Sequence, residues 1–267
     1  MRIGLAQMDI AWENIEKNEE KVLAFFKEAA AQKVELLVFP EMTFTGFSMN
    51  AEAFVHRADE ELSFMKKMSL DFDMAVVFGY MEAVEAAGEK TCHNVLSFVD
   101  RGEEKLHYAK LHPFTFGREG EVVSGGDEVA CLKWHDNTIG AFICYDLRFP
   151  EIFQISSKRA ELILLIANWP EGRIGQWDTL LSARAIENQC YVAAVNRSGD
   201  GDGLHYTGHS AVYDAWGERM TEITEDERLI VCDVDTSVIL GLREGFPVKK
   251  DRREEIYEKE AVIYSCS

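Results

Sequence analysis

Short apolar runs alternate with longer amphipathic stretches along almost the whole chain, and this alternation most constrains the fold. The apolar runs are rich in Val, Ile, Leu and Phe, as in strands that are buried on both faces, and the amphipathic stretches have helical length. The pattern therefore predicts an α/β fold with covered sheets. Strands are predicted near Ile3–Met8, Leu36–Phe39, Ala75–Tyr80, Ile139–Ile143, Leu162–Ile166 and Tyr191–Asn196, and helices near Asn14–Gln32, Glu60–Leu70, Pro150–Lys158 and Gly175–Gln189.

Turn signals add a hairpin and further strands. Two strand-like runs, Asn94–Val99 and Lys105–Lys110, flank the Gly-containing turn Asp100-Arg101-Gly102-Glu103, which predicts a β-hairpin. The glycine-rich segment Gly199-Asp200-Gly201-Asp202-Gly203 predicts a mobile loop. Further strands are predicted at His209–Tyr213 and Leu229–Asp233, with Trp216-Gly217-Glu218 turning between them.

Length and composition fit one globular domain over residues 1–267. The chain is 47% hydrophobic and 28% charged, which is typical of a soluble globule. Its formal net charge of −19 disfavours general binding to nucleic acid or to anionic membranes. We expect a cytoplasmic protein, because no apolar stretch approaches the roughly 18 residues of a membrane helix and the first residues lack a signal-peptide pattern.

The cysteines are scattered along the chain rather than paired. None of the six lies in a CxxC arrangement, so neither a zinc site nor a compact disulfide scaffold is predicted. Most are expected to be reduced thiols that are buried as small apolar residues. They are Cys92, Cys131, Cys144, Cys190, Cys232 and Cys266.

Three residues of reactive type stand at the exits of strand-like runs, namely Glu41, Lys110 and Cys144. The reactive crevice of an open α/β sheet lies beyond the carboxyl ends of its strands, so these side chains are expected to converge there. Each residue type taken singly is more often structural: a solvated glutamate, a surface lysine or a packed cysteine. Their shared position at strand exits favours a catalytic interpretation.

Such a trio has a definite chemistry. A thiol beside an ammonium group is expected to have a lowered pKa, and a neighbouring carboxylate can take its proton and later pass one to a leaving amine. Lys110 and the backbone N–H of Tyr145 are placed to stabilise the oxyanion that forms when Cys144 attacks an amide carbon. Glu41 would then activate the water that hydrolyses the thioester. No metal or organic cofactor is implied.

Longer motifs surround these three residues, and they resemble the catalytic motifs of the nitrilase superfamily of carbon–nitrogen hydrolases. The resemblance implies an αββα sandwich of two mixed β-sheets between helix layers, with Glu41 as general base, Lys110 as oxyanion stabiliser and Cys144 as nucleophile. The similar segments follow one another over essentially the whole chain. They are Phe39-Pro40-Glu41, Lys110-Leu111-His112, Cys144-Tyr145-Asp146-Leu147-Arg148-Phe149-Pro150-Glu151, Ala167-Asn168-Trp169-Pro170, Ala183-Arg184-Ala185-Ile186-Glu187-Asn188-Gln189 and Gly208-His209-Ser210.

Many members of this superfamily carry a second glutamate in the loop after the lysine, where it helps to hold the lysine and the substrate amide. The loop Phe116-Gly117-Arg118-Glu119-Gly120-Glu121 offers two candidates. Counting from Lys110 favours Glu119, and Glu121 remains the alternative. Whichever is not used is expected to be an ordinary surface glutamate.

The segments around Cys144 and Trp169 are similar to the omega-amidase branch, which deamidates monoamides of short 2-oxo dicarboxylic acids. Such a substrate, 2-oxoglutaramate or 2-oxosuccinamate, carries a carboxylate remote from its amide, and arginine suits the bidentate recognition of a carboxylate. Arg173 is the first choice for this contact. Trp169 is expected either to floor the pocket or to pack in the core. Arg148 is expected to bind substrate or to pair with an acid in the following helix.

Several alternatives remain at this point. Another amide, an N-carbamoyl amino acid or a nitrile fits the same trio, because loops set the pocket shape. A papain-like hydrolase would pair Cys144 with a histidine such as His112 or His209, although His112 is expected to lie near Lys110 instead. A non-catalytic binding protein would normally have lost one of the three reactive groups. Arg184 and Glu187 are expected to form a structural ion pair.

The resemblance also suggests a homodimer that pairs around the helix beginning near Phe149. The apolar residues Ile152, Phe153 and Ile155 of that helix fit either an interface or the core. The C-terminal segment Glu258–Ser267 is expected either to cross to the partner or to finish a sheet.

Overall fold

The computed structural model describes residues 1–86, 89–257 and 259, and strands form most of its interior. Strand bounds agree with the predicted apolar runs to within a few residues, except that β3 and β4 continue well past the predicted ends. The strands are β1 (Arg2–Gln7), β2 (Leu36–Val38), β3 (Ala75–Ala86), β4 (Glu89–Asp100), β5 (Glu103–Ala109), β6 (Cys131–Trp134), β7 (Asn137–Ile143), β8 (Leu162–Ala167), β9 (Tyr191–Asn196), β10 (Ser198–Gly201), β11 (Leu204–Thr207), β12 (Ala211–Tyr213) and β13 (Arg228–Asp233).

The strands form two main sheets. The first has the order β13-β1-β2-β3-β4-β5, in which β1, β2 and β3 are parallel and the outer pairs are antiparallel. The second has the order β12-β9-β8-β7-β6, in which β9, β8 and β7 are parallel and both edge pairs are antiparallel. Both sheets are therefore mixed, with parallel centres.

Helices flank the sheets, and all four predicted ones are present. The longest begins where the Asn14 side chain accepts a hydrogen bond from the Lys17 N–H at 3.0 Å. Pro150 occupies the first turn of the helix after the Cys144 segment, where its missing N–H costs nothing. The helices are α1 (Ile15–Ala31), α2 (Ala51–Phe54), α3 (Ala58–Phe72), α4 (Pro150–Ser156), α5 (Ile174–Asn188), α6 (Val238–Gly245) and α7 (Glu254–Tyr257).

Two apolar cores give the order of the layers. Helices α1 and α3 pack against the first sheet through residues such as Phe26, Met65 and Phe78. A larger core joins the inner faces of both sheets and also includes Trp177 and Leu181 of α5. The αββα sandwich predicted from the motifs is thus confirmed. In the described part of the chain no helix is long and apolar enough to cross a membrane.

The glycine-rich segment 199–203 was expected to be a mobile loop, and this prediction is wrong. Its first three residues belong to strand β10, and Asp202-Gly203 form the turn of a two-stranded hairpin in which Ser198 pairs with Thr207 and Gly201 with Leu204. The buried Arg197 guanidinium holds this hairpin by donating to the carbonyls of Ser198 and Asp200 at 3.0 and 2.8 Å. Arg197 is itself held by the distant Ile10 carbonyl, to which it donates at 2.9 Å, and it orders a segment whose local sequence favours disorder.

Three other expectations concern connections and ends. The hairpin predicted around Gly102 is confirmed as β4–β5. Strands β12 and β13 lie in different sheets, so the turn at 216–218 does not join a hairpin of these two strands. The role expected for segment 258–267, including Cys266, lies outside the described residues except for Lys259.

Candidate active site

The fold brings the three predicted reactive residues together. Strand β5 runs in the same direction as β2, because β4 reverses the chain between β3 and β5. Glu41 beyond β2 and Lys110 beyond β5 therefore lie at one edge of the first sheet. Cys144 directly follows β7 in the second sheet. The convergence expected at the carboxyl ends of strands is found.

Lys110 lies between two buried glutamates. Its Nζ donates to Glu41 Oε1 at 2.8 Å and to Glu119 Oε2 at 2.8 Å, and all three side chains are 0% exposed. Glu119 also accepts a hydrogen bond from the backbone N–H of Phe114. Glu121, the alternative second glutamate, is exposed and pairs with Arg118 instead. The geometry thus places Glu119, and not Glu121, beside the lysine.

The charge of Lys110 is fixed by this surrounding. Burial alone lowers the pKa of an ammonium group, but the charges of Glu119 and Glu41 outweigh it and raise the pKa of Lys110 above its usual value. The two carboxylates therefore favour the protonated, cationic form of the lysine. It is suited to stabilising negative charge and unsuited to acting as a base.

Cys144 is a buried thiol with a constrained backbone. Its φ of +46° lies in the left-handed region, which is uncommon for a residue with a Cβ and is found at functional turns. Burial raises the pKa of the Cys144 thiol well above its ordinary value, the charge of Glu41 raises it further, and Lys110 does not compensate. Burial first, and then the charge of Glu41, therefore oppose the lowering of this pKa that was expected from the lysine.

Asn168 joins the two sheets at this point. Its backbone N–H donates to Glu41 Oε2 at 2.9 Å, and its side-chain Nδ2 donates to the backbone carbonyl of Glu41 at 2.5 Å. The Asn168 carbonyl in turn lies 3.9 Å from Cys144 Sγ. These contacts place the thiol, the asparagine and the glutamate in one continuous network.

Asp146 supports the turn that carries Cys144. Its carboxylate accepts hydrogen bonds from the Ile143 N–H at 3.1 Å and from the Tyr108 hydroxyl at 2.7 Å, and His112 Nδ1 lies 2.8 Å from it. His112, two residues after Lys110, is therefore bound to Asp146. His209 Nδ1 is bound to Asp178 at 2.8 Å. Both histidines of the papain-like alternative are engaged away from the thiol.

A cavity of about 150 Å³ opens onto Cys144. Predicted substrate-binding residues Tyr145, Arg148, Trp169 and Arg173 all line it. Other lining residues, largely apolar or aromatic, come from the loops after β2 and β5 and from the β10–β11 hairpin. They include Phe47, Met49, Phe114, Leu204 and Tyr206.

Arg148 and Arg173, the two arginines of the cavity, form no ion pair with an acid within the part of the chain that the structure describes. The Arg148 guanidinium lies 4.8 Å from the Trp169 ring and donates to the Gln176 side chain at 2.7 Å, so the expected pairing with an acid is wrong. The Arg173 guanidinium lies 5.3 Å from the Phe114 ring. Trp169 donates to the Arg173 carbonyl at 2.9 Å and forms a wall of the cavity.

Other polar residues are structural. Arg184 pairs with Glu187 at 2.9 Å and donates to the Leu147 carbonyl at 2.8 Å, which confirms the predicted ion pair and ties α5 to the Cys144 turn. Among the residues described, no group of three or more His, Cys, Asp or Glu side chains is arranged to hold a metal ion.

Comparison with known proteins agrees with the site. The family model of the carbon–nitrogen hydrolases matches residues 2–244. The chain belongs to the carbon–nitrogen hydrolase family. This carbon–nitrogen hydrolase is 32% identical over 266 residues to a 2-oxoglutaramate amidase of Bacillus subtilis (strain 168), with 96% of this chain and 98% of the relative covered. It is 33% identical over 254 residues to an omega-amidase of Yersinia enterocolitica, with 94% and 96% covered.

Solved structures give the same family. XC1258 from Xanthomonas campestris, a CN-hydrolase superfamily protein, matches this hydrolase with a TM-score of 0.87 at 30% identity over 99% of each chain. The superfamily resemblance predicted from the motifs is therefore confirmed, as is the interpretation that the chain is a C–N hydrolase.

Sequence reasoning missed one residue of this hydrolase site altogether. Asn94 of β4 is 0% exposed and donates to Glu41 Oε1 at 2.7 Å and to Glu119 Oε1 at 2.8 Å. It lies in a predicted strand rather than directly after one, so the search for reactive residues at the ends of strands did not select it. An amide directly before the apolar residues Val95 and Leu96 was the available signal. Asn168 follows the same exit rule as the predicted trio and was noted only as part of a motif.

Proposed function

We propose that this carbon–nitrogen hydrolase removes the terminal amide of a short 2-oxo dicarboxylic acid monoamide, 2-oxoglutaramate or 2-oxosuccinamate, as ammonia. One observation carries the proposal: two guanidinium groups without acidic partners in the described chain, those of Arg148 and Arg173, line the cavity that reaches Cys144. Guanidinium groups in a largely apolar cavity favour a ligand with a carboxylate. One amidase relative is named for 2-oxoglutaramate, and the other is named an omega-amidase.

In the first half-reaction the Cys144 thiol attacks the amide carbon of the substrate. Glu41 takes the thiol proton as the S–C bond forms, which a thiol with a raised pKa requires. Lys110 Nζ and the Tyr145 backbone N–H stabilise the oxyanion. Glu41 then passes the proton to the departing nitrogen, the C–N bond breaks, and ammonia leaves a thioester on Cys144.

In the second half-reaction water replaces ammonia. Glu41 takes a proton from water as its oxygen attacks the thioester carbon, and Lys110 again faces the oxyanion. The C–S bond breaks, the thiol recovers its proton, and the carboxylic acid is released. Glu119 holds Lys110 throughout, and Arg173 is our first choice to bind the remote carboxylate, with Arg148 beside it. Tyr145 and Trp169 shape the walls of the cavity.

A panel of amides tests the substrate class. Ammonia release is measured with 2-oxoglutaramate, 2-oxosuccinamate, glutamine, an N-carbamoyl amino acid and an aliphatic nitrile. We expect the highest kcat/KM with one of the two oxo-amides. Turnover of the carbamoyl compound or the nitrile, with neither oxo-amide hydrolysed, would contradict the substrate class and leave the family unchanged.

A pair of cysteine variants tests the nucleophile. Cys144→Ala is expected to abolish ammonia release, and wild-type protein quenched in acid during turnover is expected to carry the acyl mass on the peptide that contains Cys144. Cys232→Ala, which removes a partly exposed thiol of edge strand β13, is the matched control and is expected to keep full activity. Equal loss in the two variants would overturn the assignment.

We further propose that the enzyme is a homodimer and acts in the cytoplasm, where a nucleophilic thiol stays reduced. Ile152 and Phe153 of α4 are core residues, so Ile155, which is 51% exposed, is the residue of this trio that favours an interface. Light scattering tests the assembly, and Ile155→Glu is expected to weaken it. A monomer of the wild-type chain at high concentration would rule the homodimer out.

A further inference from the structure

Asn94 touches both carboxylates of the site. Its Nδ2 donates to Glu41 Oε1 at 2.7 Å and to Glu119 Oε1 at 2.8 Å. The same two oxygens lie 2.8 and 3.1 Å from Lys110 Nζ. One ammonium and one amide group therefore bridge the same pair of acids from two sides.

The backbone places Asn94 there. The Lys110 N–H donates to the Asn94 carbonyl at 2.9 Å, so the two residues are neighbours across the β4–β5 pair. The orientation of the Asn94 amide is fixed by chemistry, because turning it over would aim a carbonyl oxygen at two carboxylates. Its Oδ1 is buried and has no hydrogen-bond partner in the described chain. Leaving an amide oxygen unpaired is costly, so the donor end must bring a compensating advantage.

The advantage follows from the charge balance. Lys110 contributes one positive charge, and Glu41 and Glu119 contribute two negative charges, in a place where all three side chains are 0% exposed. Two buried carboxylates close together tend to share a proton, which would leave one of them neutral. Lys110 alone supplies one compensating charge. Further N–H donors favour the ionised form of both acids without adding another charge.

We propose that Asn94 is a positioning residue that keeps Glu41 ionised and aligned as the base beside an ionised Glu119. Its amide contacts the catalytic glutamate and not the thiol, so it acts through Glu41. The inference rests on the proposed role of Glu41 as general base. It does not depend on which amide is the substrate, and it is tested with any amide that the wild-type enzyme hydrolyses.

Asn94→Leu removes the donor while keeping similar side-chain volume. We expect kcat/KM at neutral pH to fall about 10- to 100-fold, as for groups that orient a catalytic residue from behind. The acid limb of the pH–rate profile is expected to move about one unit toward higher pH, because a lost donor disfavours the ionised carboxylate. The titratable groups that face Glu41, namely Lys110, Glu119 and Cys144, are unchanged in this variant. A fall in rate with no movement of the acid limb would overturn the proposal.

Asn188→Leu is the matched control. Asn188 is also a fully buried asparagine, but its side chain bonds to the Arg184 carbonyl and to Ser157 instead of to the site. We expect this variant to lose stability without any movement of the pH–rate profile. Equal movement in both variants would show a general effect of burying leucine and would overturn the specific role of Asn94.

Alkylation gives a readout that needs no turnover. The rate at which iodoacetamide modifies Cys144, followed by mass spectrometry of its peptide, is expected to show the same shift of its acid limb in Asn94→Leu. If no amide is hydrolysed by the wild type, the proposed function fails, while the alkylation profile still tests Asn94. Should Asn94→Leu not fold, Asn94→Asp undergoes the same measurement. It keeps the shape, replaces the donor with a third acid, and is expected to move the limb in the same direction; an unmoved limb would overturn the proposal.

Discussion

Lys110 and His107 both lie near the end of β5, and each is bound by two glutamates. The two clusters differ in how deeply they are buried. Lys110 binds Glu41 and Glu119 with all three side chains 0% exposed. His107 lies 2.9 Å from a Glu82 oxygen and 3.3 Å from a Glu104 oxygen, with the three side chains 41%, 24% and 22% exposed. The same arrangement of one cationic side chain between two glutamates therefore occurs once in the buried interior and once at the surface.

The difference shows what burial adds. In the interior cluster the charges are not screened, so removing one leaves the others uncompensated, and the same strong field acts on a reacting molecule. At the surface, water and ions take over part of each interaction, so the cluster contributes little to stability and no chemistry. Position relative to the sheets, rather than the residue types, decides which cluster can catalyse.

The largest effect is expected from Lys110→Met. Two buried carboxylates lose their cation, so the free energy of unfolding is expected to fall by about 3–5 kcal/mol. The oxyanion also loses a donor, and kcat is expected to fall about 10³-fold or more. Urea denaturation and ammonia release measure the two effects. Lys158→Met, at an exposed lysine, is the control and should change neither the free energy of unfolding nor kcat. A stable and active Lys110→Met protein would show that burial does not distinguish the two clusters.

A smaller effect is expected from Glu119→Gln, which keeps the shape and removes one charge of the interior cluster. Lys110 is then held less firmly, and kcat is expected to fall about 10- to 100-fold. Glu121→Gln is the matched control two residues away, because its carboxylate is exposed and pairs with Arg118. Activity of the two variants is compared with one substrate. A larger loss in Glu121→Gln would reverse the assignment of the second glutamate.

Much of this site could be predicted from the sequence, because a position at the end of a strand is visible in the local pattern of residues. Glu41, Lys110 and Cys144 each follow an apolar run, so the rule that reactive groups stand at strand exits selected them. Asn94 and the pKa of Cys144 depend on which side chains meet across strands and sheets. The hairpin at 198–207 likewise depends on the adjacent Arg197, whose guanidinium also donates to the distant Ile10 carbonyl at 2.9 Å. Such contacts are set by tertiary packing, which periodicity does not report.

The arginines of the cavity are expected to have a smaller, substrate-dependent effect. Arg173→Leu is predicted to raise KM for a carboxylate-bearing amide about 10- to 100-fold, because a charged hydrogen bond is lost, and to leave a neutral amide such as propionamide unaffected. Arg148→Leu tests the second candidate in the same way. Exposed Arg159 provides the control variant Arg159→Leu. Equal losses with neutral and charged amides would mean that the arginines only shape the cavity.

The smallest effect is expected at the surface cluster of His107, Glu82 and Glu104. The direction in which the pKa of His107 is shifted tells how the stability changes with pH. Hydrogen bonds to Glu104 and then to Glu82 raise the pKa of His107 from 6.5 to about 10. A pKa raised in the folded state means that the protonated histidine stabilises the fold fully below pH 6.5, and that this contribution is lost as the pH rises toward 10. The same Glu82 oxygen also lies 3.9 Å from His93 Nδ1.

His107→Gln is therefore expected to lower the free energy of unfolding at pH 6 by less than about 1 kcal/mol, because exposed ion pairs are screened. The difference from wild type should shrink as the pH is raised toward 10, where the folded histidine loses its proton, and kcat should not change at any pH. Urea denaturation across this pH range measures the trend. A loss as large as that of Lys110→Met would show that two glutamates around a cation, rather than burial, determine the strength of such a cluster.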